Sequence, residues 1–183
     1  YGDIYDTAQH ALLKKKILEC KYESIGSGND DEVFLFHPYA LFFGKRAWYI
    51  VGFHENRDAI RTLKLSRFLK MEITNHSTEV PPSFTLEKHL GNAWQMIPGP
   101  KDFEVEIKFD HPFSFTISDT QWHATQDIEW HDDESCTFRC TVSGLDEIVW
   151  WILGMGPSCK VIKPPELVDK VSSLAKEMAE RYA

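Results

Sequence analysis

No run of apolar residues in this 183-residue chain is long enough to cross a bilayer, and no basic-then-apolar stretch of the secretory type opens it. A membrane span is therefore not expected. A general excess of positive charge is also missing: 20 Lys and Arg stand against 28 Asp and Glu, a net charge of -8. That balance excludes a basic coat for duplex DNA, so any nucleic acid must be met by a local basic site. Cysteine is scarce. Cys20, Cys136, Cys140 and Cys159 form no CxxC pair and have no matching histidine cluster. Cys136 and Cys140 flank a strand-like run, where their spacing holds them too far apart to chelate easily. Reduced thiols in a cytoplasmic protein are expected instead of a zinc site.

Catalytic signatures are absent as well. The sequence has no nucleophile elbow, no glycine loop for phosphates and no HExxH. His123 near Gln126, and His131 beside Asp132 and Asp133, could be dressed as acid–base pairs, but such neighbours on turns are usually solvated polar residues. We expect no catalytic residue, no metal, no cofactor and no enzymatic activity. An initial methionine is missing too; the chain starts at Tyr1 and reads as a piece of a longer protein.

What is present suffices for a core, since 43% of the residues are apolar. Asp6-Thr7-Ala8-Gln9 reads as a capping box opening a helix over about residues 6–17, with Ala8, Ala11 and Leu12 on one face. Strands follow: Ile17–Tyr22, then Val33–Phe43 after a polar loop over Ser24 to Glu32. Pro38 interrupts the second run and fits an edge or a bulge better than a central ladder position. Trp48–Phe53 is apolar throughout, and Ile60–Thr74 supplies one or two more strands beyond a polar turn at His54–Asp58. Short strands this close together suggest a small barrel, in a domain over residues 1–76.

Residues 77–102 hold Pro81-Pro82 and Pro98-Gly99-Pro100 and read as a linker with one short helix near Phe84–Leu90. A second domain over 103–183 then alternates strictly from Phe103 to Phe109. Thr125–His131 and Ser135–Val142 make a hairpin. Ser143-Gly144-Leu145-Asp146 reads as a second capping box, for a helix stopping at Gly154. Cys159–Ile162 is a strand, and Pro165 opens a final helix with Leu167, Val171, Leu174, Ala175, Met178 and Tyr182 on one face. The fold class is α+β, and a ferredoxin-like sandwich is the simplest packing of this half. Trp150 and Trp151 cannot both face a core, because adjacent helical positions diverge by about 100°.

The order of these motifs resembles the WYL family followed by its WCX extension. Trp48-Tyr49-Ile50 stands for the name-giving tripeptide, and His37-Pro38-Tyr39-Ala40-Leu41 for the strand around a proline before it. Arg61-Thr62-Leu63-Lys64-Leu65-Ser66-Arg67-Phe68 is similar to the family's arginine-rich stretch, with Lys64 replacing an arginine and Ser66 an aspartate. Trp122-His123 with Gln126, Trp151-Ile152-Leu153-Gly154 and Lys163-Pro164-Pro165-Glu166-Leu167 match the second half. The resemblance implies an SH3- or Sm-like barrel that senses a nucleotide or single-stranded nucleic acid, with Arg61 and Arg67 on family ligand positions. It further implies a homodimer held partly by the WCX half, and duplex DNA bound only by a winged helix-turn-helix ahead of Tyr1.

The residues themselves mark the same segment. Arg57, Arg61, Lys64, Arg67 and Lys70 recur where the only acid is Asp58. Arg61 and Arg67 share the odd, apolar phase of Leu63, Leu65, Leu69, Met71 and Ile73, whereas Lys64, Ser66 and Lys70 share the wet one. An unpaired guanidinium in a core costs several kcal/mol. Either a break near Ser66 turns Arg67 outward, or Arg67 lines a pocket awaiting an anion, with Tyr39, Tyr49 or His37 stacking a base or completing its hydrogen bonds. The plain alternative is that Arg61 and Arg67 are solvated or paired with Glu55 or Glu72.

Overall fold

In the computed structural model, which describes residues 2–23 and 32–183, the first helix, α1 (Gly2–Lys14), starts ahead of the expected box. Asp6–Gln9 is therefore helix interior, and Thr7 Oγ1 donates to the Asp3 carbonyl at 2.6 Å, the back-bonding that hydroxyls adopt inside helices. Ala8 and Ala11 are buried as their shared face requires, and Tyr5 meets Trp48 edge-on at 4.8 Å. The helix also stops early. Lys15 turns left-handed (φ 51°) and the chain enters a strand at once.

The chain divides into two compact units, residues 1–89 and 90–183. In the first, β1 (Lys16–Tyr22), β2 (Val33–Gly44), β3 (Ala47–His54), β4 (Ala59–Lys64) and β5 (Phe68–Ser77) form one antiparallel sheet in the order β4-β3-β2-β1-β5. The loop expected over Ser24 to Glu32 lies, apart from Glu32, outside the described residues. Pro38 falls in an interior strand, where a bulge between Pro38 and Ala40 accommodates its missing N–H. Among the described residues β4 and β5 share no ladder, so the sheet is not a closed barrel. These two edges are nonetheless joined by only a 3-10 turn, Leu65–Arg67. Lys64 and Phe68, four residue steps apart, lie within about 14 Å of each other, so the sheet must curl until its edges come near. The core lies inside that curl, with Leu18, Phe36 and Ile50 fully buried beneath α1. A short helix, α2 (Leu86–Leu90), ends the following segment.

The second unit contains β6 (Asp102–Phe109), α3 (Phe113–Ser118), β7 (Asp127–Trp130), β8 (Cys136–Ser143), α4 (Ile148–Gly154), β9 (Cys159–Lys163) and α5 (Pro165–Glu180). Its sheet is antiparallel in the order β7-β8-β6-β9. Alternation along β6 buries Val105, Ile107 and Phe109 against Phe138 and the helices. Helix α3 was not expected, because its phenylalanines and β-branched residues favour strands; burial of Ser114 and Ile117 overrides that preference. The second capping box is also not one. Ser143 stays in β8 and its Oγ accepts the Gly99 N–H at 3.1 Å, while α4 begins later, at Ile148. Trp151 packs among Trp94, Trp122 and Phe138, and Trp150 is 60% exposed. On α5 only the first part of the expected face is covered: Leu167 is buried and Val171 and Leu174 pack on the core, but Met178 and Tyr182 lie open.

Candidate ligand-binding site

The basic segment spans an edge strand and the turn after it. Register fixes which faces its side chains take, because directly paired residues project to the same side of a sheet. Ile50 pairs with Leu63 and Gly52 with Arg61, so Arg61 leaves β4 on the core-side face, at its exposed rim. Tyr49 pairs with Lys64 on the opposite face, and Tyr49 stacks on Phe42 with ring centroids 5.7 Å apart.

Arg67 closes the 3-10 turn. Leu65 and Phe68 are buried anchors on either side, and Ser66 and Arg67 are lifted between them, exposed and half-buried. The turn is held by backbone: the Lys64 N–H donates to the Tyr22 hydroxyl at 3.0 Å, and the Arg67 carbonyl accepts the Glu23 N–H at 2.9 Å. The chain thus breaks at Ser66 and Arg67 turns out of the core. A bulge at Leu69 takes that residue off the face it was expected to share, while Ile73, paired with Leu18 as Met71 is with Cys20, stays on the core-side face at its more exposed end. Among the described residues no ion pair is made by Arg61, Lys64 or Arg67. The suggested acids are engaged elsewhere, Glu55 with His37 at 2.8 Å and Glu72 with Lys70 at 3.0 Å. Lys70 also reaches Glu19 and so leaves the basic set.

His37 and Tyr39 sit apart from the arginines. His37 spends both ring nitrogens, Nδ1 on Thr78 Oγ1 and Nε2 on Glu55 Oε1, each at 2.8 Å. Tyr39 stands at the bulge with its ring 5.1 Å from Phe84. The six expected residues therefore form one edge group (Arg61, Lys64, Arg67, with Tyr49 beside it) and a separate pair. One residue of this region escaped the sequence reading. His54 is buried, stacked on Phe34, and its Nδ1 has no hydrogen-bond partner among the described residues. Burial lowers its pKa, and the nearby Arg57 and Arg61 charges lower it further against an opposing pull from Glu32. Only the chain reversal beyond β3 brings those arginines close.

In the second unit, His123 and His131 are engaged by local hydrogen bonds. His123 lies flat on Trp94 and bonds Thr125 and the Ala93 carbonyl, and His131 bonds Thr137. All four cysteines are free; burial pushes the Cys159 thiol up to about 11 and Cys140 to about 12. No helix among the described residues is long and apolar enough to cross a membrane.

Two family models match this chain, the WYL domain over residues 3–73 and the WCX domain over residues 101–179. The chain carries a WYL domain with a WCX domain behind it. The basic edge group lies wholly in the WYL domain. Two solved structures are similar over nearly the whole chain. Proteasome accessory factor B/C of Arthrobacter aurescens is 21% identical over 93% of this chain and 26% of its own, with a TM-score of 0.45. A CRISPR Cas-related protein is 11% identical over 98% of this chain and 51% of its own, with a TM-score of 0.60, and shares the fold. The WYL–WCX chain thus spans about a quarter of the first and half of the second. No curated protein matches it.

Proposed function

We propose that this chain is the effector-sensing and dimerisation region of a transcription regulator, taking an anionic nucleotide or single-stranded nucleic acid along the β4 edge. The observation that carries the reading is the trio Arg61, Lys64 and Arg67. They occur within one edge strand and its turn, with no acid paired to them among the described residues. An edge strand is open from both sides, so cations leaving opposite faces can reach one ligand running along the rim. Arginine's planar fork suits phosphate, and Tyr49 offers a ring to a base. His37 and Tyr39 fall outside this version of the site. A curled five-stranded sheet supports the SH3- or Sm-like reading of the WYL domain, and the order β7-β8-β6-β9 supports the ferredoxin-like reading of the WCX domain.

Binding would act on DNA-reading domains elsewhere in the protein by favouring the state whose β4 edge fits the ligand better. The test is fluorescence anisotropy with short single-stranded oligonucleotides and nucleotides. Wild type binds, Arg67→Ala and Arg61→Ala each weaken binding about tenfold, and the salt slope falls by about 0.7 per lost phosphate contact. Absence of binding, or unchanged affinity in both variants, overturns the reading. A second reading, a protein-interaction and dimerisation scaffold without small effector, is favoured by exposed Trp150, Met178 and Tyr182 in the second unit. It predicts a dimer whose properties never respond to added nucleic acid.

A further inference from the structure

A second site lies in the WYL unit, away from the arginines. A cavity of about 420 Å³, within the size range of small-molecule pockets, opens where the end of α1 meets the bulge of β2 and the residues after β5. Its apolar wall is Leu12, Pro38 and Val80; its polar wall is Lys15, Tyr39, Thr78 and Glu79. The Thr78 N–H donates to the Lys15 carbonyl at 2.9 Å, which brings the lysine and Glu79 to the same cavity. Both charges line the cavity, and among the described residues neither is held in an ion pair.

The hydroxyls complete the arrangement. Glu55 can only accept from His37, and Thr78 Oγ1 shares a 2.8 Å hydrogen bond with His37 Nδ1. A hydroxyl oxygen in such a bond keeps a lone pair with which it can accept from a ligand. Tyr39 does the reverse. Burial raises its pKa above the usual 10.0, so it keeps its hydrogen and can donate. The cavity therefore offers two donors, Lys15 and Tyr39, and two acceptors, Glu79 and Thr78, beside an apolar wall.

We propose that this cavity binds a small zwitterion, an α-amino acid with an apolar side chain. Lys15 and the Tyr39 hydroxyl hold its carboxylate, Glu79 and Thr78 Oγ1 hold its ammonium, and Leu12, Pro38 and Val80 receive the side chain. The site is independent of the basic edge, since no side chain of the Arg61–Arg67 group lines it.

The test is calorimetric titration of the 183-residue chain with L-phenylalanine, 3-phenylpropionate (no ammonium) and phenethylamine (no carboxylate). L-Phenylalanine is expected to bind at least tenfold more tightly than either analogue. Lys15→Met removes its advantage over phenethylamine, and Glu79→Gln its advantage over 3-phenylpropionate. Both positions are exposed, so both variants keep the wild-type circular dichroism spectrum. Three outcomes overturn the proposal: no heat from L-phenylalanine, L-leucine or L-valine at about 10 mM; 3-phenylpropionate binding as well as L-phenylalanine, which makes the cavity a plain anion site; or wild-type affinity for L-phenylalanine in both variants.

Discussion

His54 lies against Phe34 with ring centroids 3.9 Å apart and planes 11° from parallel, and among the described residues one nitrogen of the buried imidazole has no partner. A cation there is opposed by burial first and then by Arg57 and Arg61, so the folded-state pKa falls below 6.5. The unfolded chain then binds the proton more readily. Stability of the WYL unit is full above about pH 6.5 and is lost as the pH falls toward the folded-state value, with a slope of at most about 1.4 kcal/mol per pH unit for one proton. Urea unfolding at pH 7.5 and 5.5 measures it. His54→Phe, which keeps a flat ring on Phe34, should flatten the dependence; an unaltered slope refutes the assignment.

Gly52 faces Pro38 across the bulge. A Cβ there would lie 2.2 Å from the His37 carbonyl oxygen and 2.7 Å from the Phe36 ring. The carbonyl belongs to an interior strand and cannot retreat, so Gly52→Ala is expected to cost about 3 kcal/mol, at the upper end for overpacking. A thermal midpoint equal to that of wild type would count against this contact.

In the WCX unit, Glu147 is buried at the start of α4, and its Oε1 accepts the N–H groups of Gln95, Met96 and Ile97 at 3.2, 3.1 and 2.8 Å. One carboxylate thus holds a stretch that has no sheet partner of its own. Glu147→Ala strands three donors and should cost about 3 kcal/mol, and Glu147→Gln, which keeps an oxygen, about half of that. Unfolding followed by tryptophan fluorescence reads both; equal losses would mean that charge and acceptor are not what the stretch needs.

The adjacent tryptophans should separate cleanly. Trp151→Ala empties the aromatic cluster and is expected to cost about 3–5 kcal/mol. Trp150→Ser leaves the unfolding midpoint where it is, and if the exposed face joins two copies it moves the sedimentation equilibrium toward monomer. A large stability loss at Trp150 would place it in the core, against its exposure.

Local patterns made much of this fold readable. The all-apolar β3, the alternation of β6 and the proline at the start of α5 each report their own conformation, whatever surrounds them. Where distant packing decides, sequence logic failed: the Phe113–Ser118 helix and the box at Ser143 follow from neighbours far along the chain. The site was half legible. Arg61, Lys64 and Arg67 stand out as charges in an acidic chain, and Met71 and Ile73 share a face as their alternation says, but the bulge that takes Leu69 off that face has no local signature. His54 carried no signal, because its burial depends on Phe34 from another strand.

The Leu65–Arg67 turn has a consequence for how this rim can vary. Its shape depends on two apolar anchors and on main-chain hydrogen bonds, so the side chains at 66 and 67 are free of any duty to the ladder. Charge can be gained, lost or inverted there while the sheet keeps its form. The WYL unit can thus change the charge of this rim without renegotiating how it folds.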